Sequence, residues 1–330
     1  PPPPPPPPFL FKQKTAYEIM PSLVCAEMCI RDSFHETLSY SFVDDGLLAM
    51  LGMQDLDHVR IVNPVVHDEN KVRRSVVPSL LAGLETNRRL REDVRLFEVG
   101  KGYIPSAQGL EHEPTELHLA GLVWATLPAA AEARFDAHAL NRVQGVVTDL
   151  LDHLGVAEVA WRPATEAPHW GHPAKVLEAV SGEGDSCLAV VAELDPGLHG
   201  PLGLSGDLAS DVAAAEVFLD AVQAAPEQGP RYRPLPRFPG IKLDVAVALA
   251  EETPASAVRK AIEQAGKGSV ADAELFDLYR GASVGEGRKS LAYHVLLQSE
   301  KKTLTEKDEH KFLTRFEALV KKLGGELRKG

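Results

Sequence analysis

Residues 241–250 read IKLDVAVALA, and this stretch decides the fold of the last third of the chain. Its apolar residues Leu243, Val245, Val247 and Leu249 alternate with the residues between them. Successive side chains of an extended chain point to opposite sides, so these four share one side. The stretch therefore predicts a β-strand with one apolar face.

Five further elements follow this strand. Pro254 suits the first turn of a helix, which Gly266 ends. Thr305 and Asp308, three residues apart, form a capping box for a second helix. The sequence predicts helices over 254–265 and 305–323, strands over 270–280, 289–298 and 326–328, and a flexible glycine-rich loop over 281–287. The order β-α-β-β-α-β is that of a ferredoxin-like split unit.

The second strand of this unit carries candidate binding residues. Asp277 and Tyr279 are two positions apart and share one face, while Phe276 and Leu278 share the other. Phe276 and Leu278 suit a core packed under the helices, which leaves Asp277 and Tyr279 on the open face. Ser290, early in the next strand, can reach the same face.

These residue types suit contact with unpaired RNA. An exposed tyrosine offers a stacking surface for a base, and carboxylate and hydroxyl groups can bind a base edge. Arg280, Arg288 and Lys289 flank this face and could contact phosphates. The alternative is that Tyr279 is a half-buried sheet residue and that the basic residues only aid solubility.

The ferredoxin-like unit forms a domain over 238–330. A proline-rich linker over 226–237 precedes it, and a larger domain spans 34–225. In the larger domain the sequence predicts strands over 34–43, 59–64, 94–99 (ended by Gly100), 117–124, 174–180, 187–193 and 215–219, and helices over 45–50, 75–90 and 137–154. Several strands, many in antiparallel hairpins, with a few helices between them indicate the α+β class.

Residues 1–33 are expected not to belong to the natural protein. Eight prolines open the chain, and residues 12–33, KQKTAYEIMPSLVCAEMCIRDS, resemble a translated sequencing adapter. We expect this segment to be disordered and the natural sequence to start near Phe34, already inside a domain. The alternative is a genuine N-terminal extension.

Composition narrows the class of protein. The 330 residues are 44% hydrophobic and contain three cysteines, which fits a folded protein of the reducing cytoplasm. No run of about 18 apolar residues appears, so we expect no membrane span. The net charge is −12, yet residues 238–330 hold 16 Lys and Arg against 14 Asp and Glu. This balance permits a phosphate-contacting C-terminal module.

Other candidate chemistry is sparse. His169 and His172 lie between prolines in a predicted loop and lack a third ligand, so we expect no metal site. Glu98, Glu193 and Asp195 could pair as acids, but we interpret them as solvated or interface residues rather than general acids or bases.

Several segments resemble phenylalanyl-tRNA synthetase β subunits. The core-domain segments are HETLSYSFV (35–43), Asn63-Pro64 with RRSVVPSLLAGLETNRR (73–89), LFEVGKGY (96–103) and AELDP (192–196). FPGIKLDVAV (238–247), ELFDLYRG (274–281), GEGRKSLAYHVLLQ (285–298) and TLTEKD (303–308) closely resemble the ferredoxin-like anticodon-binding domain that ends these subunits.

The resemblance carries several expectations. It implies a class II synthetase-like antiparallel core that has lost catalysis and supports a catalytic α subunit in an α2β2 heterotetramer. The complete enzyme joins phenylalanine to tRNA(Phe) with ATP and magnesium, and this chain is expected to bind no cofactor and no metal. It implies that Tyr279, Asp277 and Ser290 match the family's anticodon-contacting residues. We expect the chain to lack the family's N-terminal oligonucleotide-binding-type domain, its editing domain and its magnesium-ligand domain, and therefore to have no editing activity.

The sequence also indicates, independently of the resemblance, that the larger domain is catalytically inactive. A class II active site uses arginines to hold the ATP phosphates. Arg95 stands where the second motif of a class II active site would fall, and it has no matching partner. Residues 212–222 stand where the third motif would fall, and they contain neither glycine nor arginine. The alternative function is a ferredoxin-like sensor of small molecules. Residues 251–254, EETP, disfavour it because they stand where such a sensor needs a glycine-rich turn.

Overall fold

A computed structural model describes most of the chain. The described residues form two compact units, unit 1 up to residue 227 and unit 2 from residue 237. The described ranges are 25–30, 32–64, 70–109, 112–128, 138–181, 186–227, 237–281 and 283–328. Most of the predicted linker, residues 228–236, lies outside them.

Unit 1 is built on a seven-stranded sheet of order β1-β4-β5-β9-β8-β7-β6. Its strands are β1 (His35–Glu36), β4 (Val94–Ile104), β5 (Thr115–Thr126), β6 (Val159–Pro163), β7 (Gly171–Ser181), β8 (Ser186–Leu194) and β9 (Asp211–Phe218). All neighbours are antiparallel except β1 and β4, which are parallel. The predicted antiparallel α+β architecture is confirmed.

Both faces of this sheet are covered. Helix α5 (Ala139–His153) buries Val143, Val147 and Leu150 against one face. The opposite face packs against α2 (Asp45–Met50), α3 (Val77–Ala82) and α4 (Leu84–Arg88). The remaining short elements are β2 (Phe42–Val43), β3 (Lys71–Val72), α6 (Pro196–His199) and α7 (Leu219–Ala224).

Three predicted elements of unit 1 are shorter or broken in the structure. The strand predicted over 34–43 is only the two-residue pairs β1 and β2, and the one over 59–64 is a single bridge from Arg60 to Lys71. The helix predicted over 75–90 is broken at Gly83, whose N–H bonds the carbonyl of Leu80 three residues back. Glycine in a helix interior weakens the helix because it adds conformational entropy to the unfolded chain.

Gly100 does not end β4, contrary to prediction. The strand continues to Ile104, and Gly100 and Gly102 both face the segment that precedes α3. A Cβ on Gly100 would lie 2.4 Å from a guanidinium nitrogen of Arg73, and one on Gly102 would lie 2.2 Å from the carbonyl oxygen of Arg74. These glycines therefore mark close approach of another segment rather than a strand end.

Residues 25–30 form a helix, α1, so the expected disorder of residues 1–33 is wrong for this part. Cys25, Met28 and Cys29 are buried in the same core as Trp124, and Phe34 packs edge-on against the Trp124 ring. Residues 1–24 lie outside the described ranges. That residues 1–33 are foreign to the natural protein stays a prediction.

Unit 2 has the predicted β-α-β-β-α-β order. Its elements are β10 (Ile241–Ala250), α8 (Ala255–Gly266), β11 (Val270–Tyr279), β12 (Arg288–Leu297), α9 (Glu306–Lys322) and β13 (Glu326–Arg328). The antiparallel sheet has the order β11-β12-β10-β13. The predicted capping box of Thr305 and Asp308 is present at the start of α9.

The two helices of unit 2 cover one face of its sheet. Val245, Val247 and Leu249 of β10 pack with α8 and α9, as the alternation predicted. Phe312 and Phe316 of α9 are buried in the same core. Among the described residues of unit 2 no helix lies on the other face, which is called the open face below. No helix in the described part of the chain is long and apolar enough to cross a membrane.

Candidate RNA-binding face

The open face is floored by small residues and edged by polar and aromatic ones. Strand register sets its rows: Tyr279 pairs with Ser290 and Ser290 with Ala248, while Asp277 pairs with Ala292 and Ala292 with Ala246. Directly opposed residues of a sheet point to the same side. The open face therefore includes Asp244, Ala246, Ala248, Glu274, Asp277, Tyr279, Ser290, Ala292 and His294.

Tyr279 presents its ring on this face, as the sequence predicted. It is 42% exposed, and Asp277 beside it is also exposed. A Cβ on Gly281 would lie 2.3 Å from the Tyr279 hydroxyl oxygen, so the tyrosine lies over Gly281. A side chain at position 281 would displace the ring. The glycine after the strand therefore helps to fix the orientation of Tyr279.

Ser290 lies on the predicted face but is less accessible than expected. It stands between Tyr279 and Ala248 in the sheet, and it is only 5% exposed. Its hydroxyl is therefore mostly shielded from solvent.

Phe276 does not point into the core, contrary to prediction. It lies in a β-bulge: Leu275 pairs with Tyr293 and Asp277 pairs with Ala292, so Phe276 has no partner in the ladder. A bulge adds one residue to a strand and breaks the alternation of its side chains. Leu278 is partly buried on the core side, as expected, but Phe276 is 39% exposed. The bulge contains neither glycine nor proline, so no local pattern marks it.

His294 joins Phe276 on the open face and was not recognised in the sequence. Their rings are parallel within 10°, with centroids 3.8 Å apart. The Asp244 carboxylate lies 2.7 Å from Nδ1 of His294 and fixes the imidazole ring. Asp244 and His294 are directly opposed on β10 and β12. A prediction of the register between β10 and β12 would therefore have placed Asp244 beside His294.

The three candidate phosphate contacts have partners within unit 2. The Arg280 guanidinium donates hydrogen bonds of 2.7–3.2 Å to the Glu251 carboxylate, and these lower the pKa of Glu251 and raise that of Arg280. Arg288 donates to Glu326 and to the carbonyl of Ala248. These arginines remain partly exposed, so an arriving phosphate would compete with carboxylates for them.

Lys289 lies on the other side of the sheet from the open face. It pairs in register with Leu249, a core residue, and donates to the carbonyl oxygen of Glu251. Adjacent residues of a strand point to opposite faces, so Lys289 is on the side opposite Ser290. Its predicted phosphate contact from the flank of the open face stays a prediction.

A pocket of about 560 Å³ opens at the end of the β11–β12 hairpin. Glu251, Arg280 and Arg288 line it together with glycines 281, 285 and 287 and Glu286. Gly285 and Gly287 have φ angles of +88° and +71°, a conformation that favours glycine. The pocket adjoins Tyr279 through Gly281 and brings two arginines to one site.

The acidic residues noted in unit 1 have structural partners. Glu98 forms a buried ion pair with Arg73, at 2.7 Å, and also accepts a hydrogen bond from Ser39. Glu193 pairs with Lys175, and Asp195 caps α6 by accepting from the N–H of Gly197. Through the described residues, no group of three or more His, Cys, Asp or Glu could hold a metal ion.

The two histidines of the proline-flanked segment lie in a turn and at the start of a strand. Trp170 is buried, His169 lies in the turn beside it, and His172 is in the first residues of β7, where its Nδ1 accepts from the N–H of Ala174. The segment is thus a turn followed by a strand rather than the loop that was expected through residue 173.

Two family models match the chain. The phenylalanyl tRNA synthetase beta chain CLM domain matches residues 12–219, and the ferredoxin-fold anticodon binding domain matches residues 236–328. The chain belongs to the phenylalanyl-tRNA synthetase β-chain family. The first match begins inside the segment that resembles an adapter, and the second covers the whole open face described above.

Relatives in this family match along most of the chain. The phenylalanine–tRNA ligase β subunit of Moorella thermoacetica is 33% identical over 301 residues, and that of Anaeromyxobacter dehalogenans is 34% identical over 304. Each alignment covers 89% of this chain but only 36% of the relative, so the chain spans about a third of the length of these β subunits. A pyrrolysyl tRNA synthetase structure from Desulfitobacterium hafniense is 17% identical, with a TM-score of 0.48 over 62% of this chain and 66% of that one.

Proposed function

We propose that this chain is the part of a phenylalanine–tRNA ligase β subunit that binds the anticodon region of tRNA(Phe) and supports a catalytic α subunit. The observation that carries the proposal is the exposed Tyr279 beside Asp277 on the open face, within the segment that matches the anticodon-binding family model. The names of the relatives point to tRNA(Phe) as the RNA.

Each residue of the open face has a distinct role in this proposal. Tyr279 stacks on an unpaired anticodon base, since every base offers a π-face to an aromatic ring. Asp277 accepts hydrogen bonds from amino or imino groups on the edge of that base, and Ser290 contacts the base where it enters beside the tyrosine. Acidic groups at this position favour a base edge over a phosphate, so the carboxylate contributes specificity.

The phosphates flanking that base bind at the arginine-lined pocket. Arg280 and Arg288 are donors to carboxylates in the free chain, at Glu251 and Glu326. A bound phosphate replaces or shares these acceptors, because guanidinium groups bind phosphate oxygens as readily as carboxylates. Lys289 can act there only by leaving the carbonyl of Glu251.

Unit 1 supports the α subunit and has no active site of its own. Arg95, at the place of the second catalytic motif, pairs with Asp93 at 2.6 Å and lies 4.0 Å over the Trp124 ring. It is therefore held by the core and does not fit an ATP phosphate. On the sheet's other face, Glu216 accepts from Ser75 and from the N–H of Val76. Two further arginines near this sheet also have partners: Arg142 lies 5.3 Å over the same Trp124 ring, and Arg73 pairs with Glu98 at 2.7 Å. We therefore infer that neither acts as a clamp for an ATP phosphate.

The complete enzyme, in this proposal, is a cytoplasmic α2β2 heterotetramer that joins phenylalanine to tRNA(Phe) with ATP and magnesium. The chemistry belongs to α. A small-molecule sensor gains no support, because residues 251–254 place Glu251 as the partner of Arg280 and none of the matches reported above is a regulatory protein.

The test is binding of the full chain to a fluorescent anticodon stem-loop of tRNA(Phe), followed by anisotropy at low and moderate salt. Tyr279→Ala is expected to weaken binding by about 1–3 kcal/mol, the usual contribution of one base–aromatic stack. Tyr40→Ala is the matched control, since Tyr40 is an exposed tyrosine of unit 1. A stem-loop with its first anticodon base changed is expected to bind wild type more weakly.

Equal, weak binding of both stem-loops by wild type and by Tyr279→Ala, varying only with salt, would mean phosphate attraction alone. Anticodon recognition would then be wrong, and support of an α subunit would remain to be tested by copurification.

A further inference from the structure

We propose that Phe276 and His294 form a second base-stacking platform on the open face, which takes an unpaired RNA base other than the one on Tyr279. The inference rests on the proposed function and extends it from one base to two. Neither residue was a sequence-based candidate, and the platform exists only because of the bulge in β11.

The exposure of Phe276 is the first observation. In the described part of unit 2, the large hydrophobic side chains that are exposed are Phe276 and Tyr279. Both are aromatic, and both lie on β11 and on the open face. Moving an aromatic ring out of the core forgoes the free energy of its burial. The bulge therefore leaves the Phe276 ring where a ligand can reach it.

The parallel arrangement with His294 is the second observation. The ring centroids are 3.8 Å apart and the planes differ by 10°, so the two rings make one flat stack. Asp244 holds the imidazole through Nδ1, which fixes the stack before any ligand arrives. The side chain of His294 is still 53% exposed. A base can therefore extend the stack at low conformational cost.

The spacing of the two platforms is the third observation. Tyr279 lies opposite Ser290, and the Phe276 stack lies at His294, four residues further along β12. Four residues of a strand span about 13 Å. Bases stacked on one another lie about 3.4 Å apart, so the two platforms hold bases that are splayed rather than stacked. Splayed bases are the form in which proteins recognise RNA loops.

The floor between the platforms suits a polynucleotide. Ala292 lies between them along β12 with Ala246 opposite it on β10, and Ala248 stands in the row of Tyr279. None of the three has a bulky side chain to hold the RNA away. Asp277 is opposed to Ala292, between the two platforms. Its carboxylate can accept hydrogen bonds from the edge of a base. One four-stranded sheet face with two aromatic platforms can bind two bases, as RNA-binding sheets of this size do.

The test measures binding of the full chain to a series of anticodon stem-loops, each with one loop base removed to leave an abasic site. Phe276→Ala is expected to weaken binding of the intact stem-loop about 5- to 150-fold. Phe276→Trp, which keeps a stacking ring, is the matched control and is expected to bind as wild type does. Circular dichroism checks that each variant is folded.

The abasic series separates the two platforms. At one abasic position, Phe276→Ala is expected to bind the stem-loop as tightly as wild type does. At a different abasic position, the same is expected of Tyr279→Ala. If Phe276→Ala binds every stem-loop as wild type does while Tyr279→Ala is impaired, the second platform is wrong and anticodon binding stands. If both variants bind as tightly as wild type does at the same abasic position, the face holds a single base. If wild type binds no stem-loop, the proposed function and this inference fail together.

Discussion

Glu216 stands between the sheet of unit 1 and the segment that covers it. Its carboxylate accepts hydrogen bonds from the Ser75 hydroxyl at 2.6 Å and from the N–H of Val76 at 3.2 Å. Burial nevertheless raises the pKa of Glu216 to about 6, because desolvation of the charge outweighs these bonds and the attraction of Arg73. Ionised Glu216 therefore opposes folding at neutral pH.

Glu216→Gln is expected to change how the stability of unit 1 varies with pH. Below pH 4.5 the carboxyl is protonated in both folded and unfolded chains, and above pH 6 it is ionised in both. Wild type thus loses stability as pH rises across this window, whereas glutamine does not. Relative to wild type, the variant should gain about 2 kcal/mol between pH 4.5 and pH 7.

Urea unfolding followed by tryptophan fluorescence measures this difference, since Trp124, Trp161 and Trp170 all belong to unit 1. A constant difference in stability across that pH range would contradict the raised pKa.

Gly102→Ala should destabilise unit 1 by about 1–3 kcal/mol, the range for overpacking a close-packed site. The new methyl group would meet the carbonyl oxygen of Arg74, a backbone atom that cannot rotate away. Gly145→Ala is the control, because Gly145 lies inside α5 with open space at its Cβ position. It should stabilise the unit by about 1 kcal/mol. Urea unfolding of both variants checks the pair, and equal effects would show that the approach of Arg74 is not required.

At the scale of elements, β10 and β11 show what sequence pattern can and cannot predict. Residues 241–250 alternate without interruption, and the strand has those bounds. In β11 the alternation predicted Leu278 and Tyr279 correctly, but it failed at Phe276 because a bulge is decided by cross-strand pairing. Similarly, Gly100 was predicted to end a strand. Its actual role depends on Arg73, which approaches from a distant part of the chain and cannot be inferred from the neighbouring residues.

Helix α9 depends on its N-terminal cap. The Thr305 and Asp308 side chains satisfy each other's backbone N–H groups, and Lys302 pairs with the Asp308 carboxylate. These hydrogen bonds lower the pKa of Asp308 to about 2, so the cap keeps its charge in all but strong acid.

Thr305→Ala should destabilise α9 by about 1 kcal/mol, the usual cost of losing an N-cap side chain. Hydrogen exchange of the α9 amides measures it, with faster exchange expected in the first turns. Thr314→Ala in the same helix is the control, and it should leave exchange unchanged or slower because alanine has the higher helix propensity. If the two variants behave alike, the cap does not stabilise the helix.

At the scale of the whole chain, the sequence determined the order of elements better than the chemistry of the candidate site. The open face with Asp277 and Tyr279 followed from alternation alone. The burial of Ser290 and the side of the sheet on which Lys289 lies did not follow from alternation, because both depend on the register of three strands. The partners of Arg280 and Arg288 lie far along the chain at Glu251 and Glu326, and no local pattern specifies such ion pairs.

The central claim is that RNA binds on the open face of unit 2. The most direct measurement is photocrosslinking of the full chain to an anticodon stem-loop that carries a photoreactive base at each loop position in turn, with crosslinked peptides identified by mass spectrometry. Crosslinks are expected within residues 274–281 and 288–294, and Tyr279→Ala should reduce them. Crosslinks confined to α8, α9 or unit 1 would contradict the account.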